Sequence, residues 1–274
     1  MKFSIITVNY NNYTGLYRTI ESILSQSYKN FEFIIIDGGS TDGSKELLEK
    51  YDAHIDYWVS EPDKGIYNGM NKGIARAHGE YLNFMNSGDT FFKSTTLEEI
   101  NNMIDGSDFI VGCDYNEDST TGMSATTILP TRVSFATFFM QTLPHQSTFI
   151  RQSKFNNNLY DEHLKIVADW KFFMDKIVYD DSSVQFIDLI ICKREQGGIS
   201  NSQSTKVNEE RELILSLLLP PGIRKDYDSL SKLDRSTVYK LLNLCDDSKA
   251  VVILNFVIKV LYRLFRRTIF GTNL

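Results

Sequence analysis

Cysteine is scarce in this chain. Cys113, Cys192 and Cys245 are the only three among 274 residues, odd in number and far apart, with no CxxC spacing and no His beside them. Such usage argues against a disulfide framework or a zinc site and predicts reduced thiols in a reducing compartment. No run reaches the roughly 18 to 20 apolar residues that a membrane-spanning helix needs. The amino terminus enters a strand-like run at once, without the basic segment, long apolar region and small-residue cleavage site of a secretory signal. The expected location is the cytoplasmic side. Positive charge is also in deficit, since 29 Lys and Arg face 35 Asp and Glu for a net charge of −6, which argues against a general nucleic-acid binder. Two phosphate signatures are missing as well. There is no GxxxxGK[ST], and DGGSTDG is not a GxGxxG set between strand and helix, so neither an NTPase nor a dinucleotide oxidoreductase is expected. The Gly-rich, Arg-bearing loop of a sugar-nucleotide pyrophosphorylase is absent too.

What is present is ordinary globular composition, 42% hydrophobic and 23% charged, enough for one α/β body and an appendage. Apolar runs at Phe3 to Val8, Phe31 to Ile36 and Tyr81 to Met85 read as buried strands. Helical spacing follows over Thr14 to Ser27, from Ser40 and Thr41 to Tyr51, and at Ile66, Met70 and Ile74, with Gly79 placed to end the last. This alternation predicts parallel strands joined by right-handed crossovers. Further on, the reading is a helix at Leu97 to Ile104, a strand at Phe109 to Cys113 and a polar loop from Asn116 to Thr127. A strand at His145 to Ile150, a helix at Lys165 to Val178 and a strand at Val184 to Ile191 then lead into REQGGIS. Beyond that point helices dominate, interrupted at Pro220 to Gly222.

In a parallel α/β sheet, ligands bind beyond the carboxyl ends of the strands. Asp37 stands there, closing a run of three isoleucines ahead of two glycines that let a ligand approach the backbone. It is either a ligand-binding carboxylate or a turn Asp capping the next helix. Asn86, Ser87, Gly88 and Asp89 close the strand at Tyr81. Asp89 reads either as a loop carboxylate for a hard divalent cation, carrying little packing, or as part of a plain turn. Asp169 lies among Val167, Trp170, Phe173 and Met174 on an apolar helix, and is either an exposed helix Asp or a partly buried general base. Asp161 and Glu162 are the rival carboxylates.

Taken together, TVNYNN, IIIDGGSTDGS and EPDKGIYNGMNKGIARAHGEYLNFMNSGD resemble, in order, the motifs of glycosyltransferase family 2, inverting enzymes with a GT-A fold. The likeness covers about Lys2 to Ser200, and the last stretch is similar to a bacterial polysaccharide-assembly branch. The resemblance implies a Rossmann-like, mixed α/β sheet flanked by helices and a UDP-sugar donor bound with Mn²⁺ or Mg²⁺. It implies a glycan or polyprenyl-diphosphate-linked acceptor. By the same resemblance Asn9 and Tyr10 border the nucleobase, Asp37 the uridine, and Asp63, Lys64 and Tyr67 the sugar-diphosphate region. The resemblance likewise implies Asp169 as the catalytic base and Asp89 as the metal ligand. His145 and Gly198, in GGIS, match the branch with no assigned role. Where many relatives carry DxD, this chain has Asn86 and Gly88, leaving Asp89 as the one carboxylate of the turn. Metal and donor are therefore expected to bind together. A nucleotide-sugar binding protein without catalysis and a membrane scaffold are the competing readings.

The expected division is a catalytic domain over 1–205 and a helical extension over 206–274. From Lys249 onward the chain holds Lys249, Lys259, Arg263, Arg266 and Arg267 and no acidic residue. Between Ala250 and Phe270 the polar positions fall three or four apart on an otherwise apolar helix. This pattern fits either a helix lying peripherally at an anionic membrane surface or a core or oligomer helix with one solvated face.

Overall fold

The computed structural model describes residues 1–117, 122–130, 132–195 and 204–234. The chain divides into two units, Met1–Ile214 and Leu215–Leu274. The first is built on a mixed sheet of nine strands: β1 (Phe3–Asn9), β2 (Phe31–Asp37), β3 (Tyr57–Ser60), β4 (Tyr81–Phe84), β5 (Thr90–Phe91), β6 (Phe109–Glu117), β7 (Ser124–Thr126), β8 (Thr148–Arg151) and β9 (Val184–Lys193). Their order is β3-β2-β1-β4-β8-β6-β9-β5, with β7 paired to β6. The first four strands in this order run parallel. Strand β8 is antiparallel to both of its neighbours.

Strand β1 is buried along its whole length because both faces of the sheet are covered. Phe3 and Ile5 pack with Leu16, Ile20 and Ile23 of α1 (Tyr13–Leu24) and Leu47 of α2 (Ser44–Tyr51). Burying such a side chain contributes about 1.5–3 kcal/mol. The opposite face carries Ile6 and Val8, which meet α3 (Ile66–Ile74) at Gly73 and Gly69. A Cβ on Gly73 would stand 2.5 Å from the Ile6 side chain, so the helix settles on the sheet only because it has no side chain there. Two hydroxyls inside the sheet are paired: Ser4 donates to Glu32 and Thr7 to the Met85 carbonyl. Helices α4 (Thr96–Met103), α5 (Phe135–Met140) and α6 (Ala168–Met174) complete the unit together with the first part of α7 (Ser204–Leu218). The second unit holds the end of α7 and α8 (Pro221–Asp234). Among the described residues no helix is long and apolar enough to cross a membrane.

The structure changes several sequence expectations. Ser40 and Thr41 do not open α2, because the Ser40 hydroxyl is drawn to Asp37; the helix starts after Gly43, where Asp42 accepts the Ser44 N–H. Helix α3 ends at Ala75 rather than at Gly79. Gly79 lies so close to β1 that a Cβ would be 2.5 Å from the Ser4 nitrogen. His145 precedes β8 in a turn. The helix expected from Lys165 begins only at Ala168 and continues past Met174 as a π-turn over Asp175–Tyr179. Strands β3 and β5 and helix α5 are too short to show a periodicity. Within the polar segment 116–127, β7 pairs back on β6.

Candidate functional site

The parallel register sets Asn9 of β1 directly beside Asp37 of β2. Asn9 donates to Asp37 Oδ1 at 2.7 Å, and Ser40 and Ser60 supply hydroxyl donors at 2.5 and 2.6 Å. The Ser40 N–H adds another bond at 2.9 Å. Burial acts to raise the Asp37 pKa, yet these hydrogen bonds outweigh it and hold the carboxyl below the ordinary range. Asp37 is fully buried and saturated. The wall at the carboxyl end of β2 is formed instead by Gly38 and Gly39. A Cβ on Gly38 would stand 2.8 Å from Asp63 Oδ2 and 3.3 Å from the Tyr10 ring. Asp63 and Tyr10 thus meet above Gly38, at the same end of the site as Asn9.

A pocket of about 790 Å³ opens here, running from Tyr10 and Asp63 past Asn86 and Ser87 to Asp89 and Arg194. Tyr10 is 67% exposed at its rim. Lys64 is exposed and its side chain lines neither this pocket nor the next. Asp89 is not the loosely held loop carboxylate expected. It is 6% exposed, with Oδ1 accepting the Glu195 N–H at 2.8 Å and Oδ2 the Gln146 amide at 3.1 Å. Burial drives its pKa up to about 6 against the pull of those two donors and of Arg194. Thr19 of α1 fastens the turn, donating to the Asp89 carbonyl and accepting the Gly88 N–H. A Cβ on Gly88 would be 1.9 Å from Glu195 Oε2, so glycine is needed for Glu195 to lie across the turn. Glu195 is held there by Asn12 at 3.0 Å and by an ion pair with Arg18.

Asn86, Gln146, Arg194 and Ile66 are shared with a smaller inner pocket of about 250 Å³. Among the described residues Asp169 is the only carboxylate lining that inner pocket. The buried Tyr67 hydroxyl lies 2.7 Å from Asp169 Oδ1 and 2.6 Å from the Ile166 carbonyl, its single proton shared between the two acceptors. Burial, then the Asp169 charge, raises the Tyr67 pKa well above its ordinary value, so the phenol stays a donor. Tyr67 therefore stands against Asp169 and not on the wall of the larger pocket. His145 stacks on Phe84 at 5.1 Å and meets the Tyr160 hydroxyl at 3.1 Å. Burial lowers its pKa, keeping the ring neutral. Asp161 and Glu162 line neither pocket, and Glu162 is engaged by Asn68 and Asn71.

Gly198 lies outside the described residues. Among the described residues no cluster of three or more His, Cys, Asp or Glu could hold a metal ion by itself. Four site residues escaped the sequence reading: Asn12, Gln146, Arg194 and Glu195. Arg194, whose guanidinium is 3.7 Å from the buried Asp114, carried one legible signal, its place at the end of an apolar strand.

Comparison with known proteins agrees with this architecture. The model of glycosyl transferase family 2 matches residues 4–171. An uncharacterized glycosyltransferase of Mycobacterium tuberculosis is 30% identical over 203 residues, 72% of this chain and 76% of the relative. The structure of S. aureus TarS 1-349 in complex with UDP-GlcNAc is similar at a TM-score of 0.60 and 20% identity, over 74% of this chain but only 61% of that one. A mannosyltransferase of Pyrobaculum calidifontis in complex with GDP-Man and Mn²⁺ is similar at a TM-score of 0.59 and 13% identity, over 97% and 82% of the two chains. The match spans more than half of the sequence, and the fold is the one its motifs imply: the chain belongs to glycosyltransferase family 2.

Proposed function

We propose that this glycosyltransferase takes a UDP-linked sugar in the larger pocket and transfers it, with inversion, to a hydroxyl of a glycan or lipid-linked glycan in the inner pocket. One observation carries the reading. Asn9 Oδ1 and Asn86 Oδ1 are buried without a protein partner, and both residues line the larger pocket. More than nine in ten buried polar groups are paired, and an unpaired one costs about 1–3 kcal/mol, so this wall is built to be completed by a ligand. Asn9 Oδ1, beside Tyr10 and Asp63, suits an N–H of the nucleobase. Asn86 Oδ1 and the Asp89 carboxylate, which has acceptor sites left over, are hard oxygen donors that fit Mg²⁺ or Mn²⁺ together with diphosphate oxygens. The cation would neutralise charge on the leaving diphosphate. Arg194, between the pockets, adds a fixed positive charge at the same place.

The chemistry assigned to the chain's own residues is short. Asp169 takes the proton from the acceptor hydroxyl as its oxygen bonds to the anomeric carbon. The bond from that carbon to the diphosphate breaks on the opposite side, and the nucleoside diphosphate leaves with the electron pair. Tyr67 holds Asp169 facing the pocket. UDP as the nucleotide is supported by the family resemblance and by the UDP-GlcNAc bound to the similar S. aureus protein. The basic, apolar stretch 250–270 lies outside the described residues. Its pattern supports peripheral contact with the membrane that carries such acceptors.

The test is release of nucleoside diphosphate from UDP-, GDP- and dTDP-sugars, with and without Mn²⁺, by wild type and Asp169→Asn. The expected result is metal-dependent turnover of a UDP-sugar, lowered about 10²- to 10⁴-fold in the variant with donor affinity unchanged. Donor binding without any turnover would favour the reading as a nucleotide-sugar binding protein.

A further inference from the structure

The segment leading into the Asp169 helix has no cap of its own. Val167, at the cap position with φ −119°, offers no side-chain acceptor. The backbone just ahead of the helix is held instead by one carboxylate from α7. Glu210 accepts the N–H of Lys165 at 2.8 Å on one oxygen, and those of Ile166 at 2.9 Å and Val167 at 3.2 Å on the other. Three consecutive backbone donors on a single side chain is a concentrated restraint, since charge-assisted bonds are about twice as strong as neutral ones. The neighbouring Arg211 lays its guanidinium 5.0 Å from the centre of the Trp170 ring, so α7 grips residues on both sides of Asp169.

The grip leads directly to the carboxylate. Ile166 is held at its N–H by Glu210 and at its carbonyl by Tyr67, and the same Tyr67 hydroxyl holds Asp169 Oδ1. A shift of 165–167 therefore pulls, through the Ile166 carbonyl, on the Tyr67 hydroxyl that bonds the Asp169 side chain.

We propose that Glu210 is a positioning residue for the transfer reaction, fixing residues 165–167 and, through Ile166 and Tyr67, the orientation of Asp169 toward the inner pocket. The proposal rests on the assignment of Asp169 as base. Glu210 lines neither pocket, so its effect is on turnover and not on donor binding. A displacement of about 1 Å at a reacting group can cost as much as 10²-fold.

The test uses the full chain and the same panel of UDP-, GDP- and dTDP-sugars with Mn²⁺, following nucleoside diphosphate release to water. Glu210→Gln, Glu210→Asp, Asp169→Asn and the Asp169→Asn/Glu210→Gln pair are compared with wild type. Glu210→Gln is expected to lower kcat about 10- to 100-fold with donor KM within about twofold, and Glu210→Asp, which keeps the charge on a shorter stem, to fall between. In the Asp169→Asn background Glu210→Gln should cost nothing more, because a residue that acts through the base has no effect once the base is gone. An unchanged kcat in Glu210→Gln, an equal loss in both backgrounds, a change confined to KM, or loss of folding in both Glu210 variants would each overturn positioning while leaving the base assignment intact. Wild-type-like turnover in Asp169→Asn, or no turnover of any donor by wild type, would remove the base assignment and the proposal with it.

Discussion

Replacing Asp89 by Asn should make the apo protein more stable while removing its metal-supported donor binding. Burial raises the Asp89 pKa from 3.8 to about 6, and a displacement of that size corresponds to about 3 kcal/mol of cost for keeping the group ionised at pH 7.5. Because the folded-state pKa is the higher one, the native protein binds the extra proton between these values, and stability falls as pH rises from about 4 to about 6. Above that range the full cost is present. The amide of Asn can still accept the Glu195 N–H, but its NH₂ faces Gln146, whose own amide must turn over. Allowing about 1 kcal/mol for that mismatch, the net gain is about 2 kcal/mol, or about 4–8 °C in Tm for a chain of this size. Thermal melts in EDTA at pH 7.5 and pH 4 measure it directly. The advantage of Asp89→Asn should shrink to less than about 1 kcal/mol at pH 4, where wild-type Asp89 is already protonated. Adding Mn²⁺ with UDP should raise the melting temperature of wild type and not of the variant. A variant no more stable than wild type at pH 7.5, or one that keeps the Mn²⁺-dependent rise, would refute the reasoning.

Asp37→Asn should act in the opposite sense. It leaves Ser40, Ser60 and Asn9 short of an acceptor, so stability should drop by about 2–4 kcal/mol and free UDP should bind more weakly by calorimetry, through loss of the turn that shapes Gly38. As the Asp37 pKa is lowered in the folded state, its contribution in wild type is present above the ordinary carboxylate range and is lost as pH falls below it; an acid melt of wild type against the variant checks this. Gly88→Ala should cost at least about 1 kcal/mol, since it needs a left-handed conformation at φ +103° and drives a methyl into Glu195; an unchanged melting temperature would show that Glu195 does not lie across the turn. Truncation after Asp247 should release the protein from anionic liposomes, and equal sedimentation of full and truncated chains would sink the membrane reading.

Much of the candidate site was legible in the sequence, because buried parallel strands write themselves as apolar runs and place whatever follows them at one edge of the sheet. Asp37, Asn86 and Asp89 were singled out for that reason, each lying at or just past the end of a run, whereas Asn9 was singled out through the family resemblance. What tertiary structure alone decided was which way those side chains face. Asp37 and Asp63 carry the same chemistry, yet Ser40 and Ser60 seal the first inside the turn while Gly38 leaves room for the second beside the pocket. Asp89 read as a surface loop residue because burial depends on Gln146 and Glu195, more than fifty residues away in the chain. The restraint on Asp169 was equally invisible. Glu210 sits forty-odd residues beyond it on a helix whose sequence pattern reports only that one face is polar, and nothing local marks a carboxylate that spends its charge on another segment's backbone. Periodicity and strand ends are local properties, so the sequence by itself determined the central parallel strands and the sheet edge at which the candidate pocket opens. Hydrogen bonds between distant segments are not local, and only the folded chain decided which carboxylates are sealed, which are buried at a cost and which line a pocket.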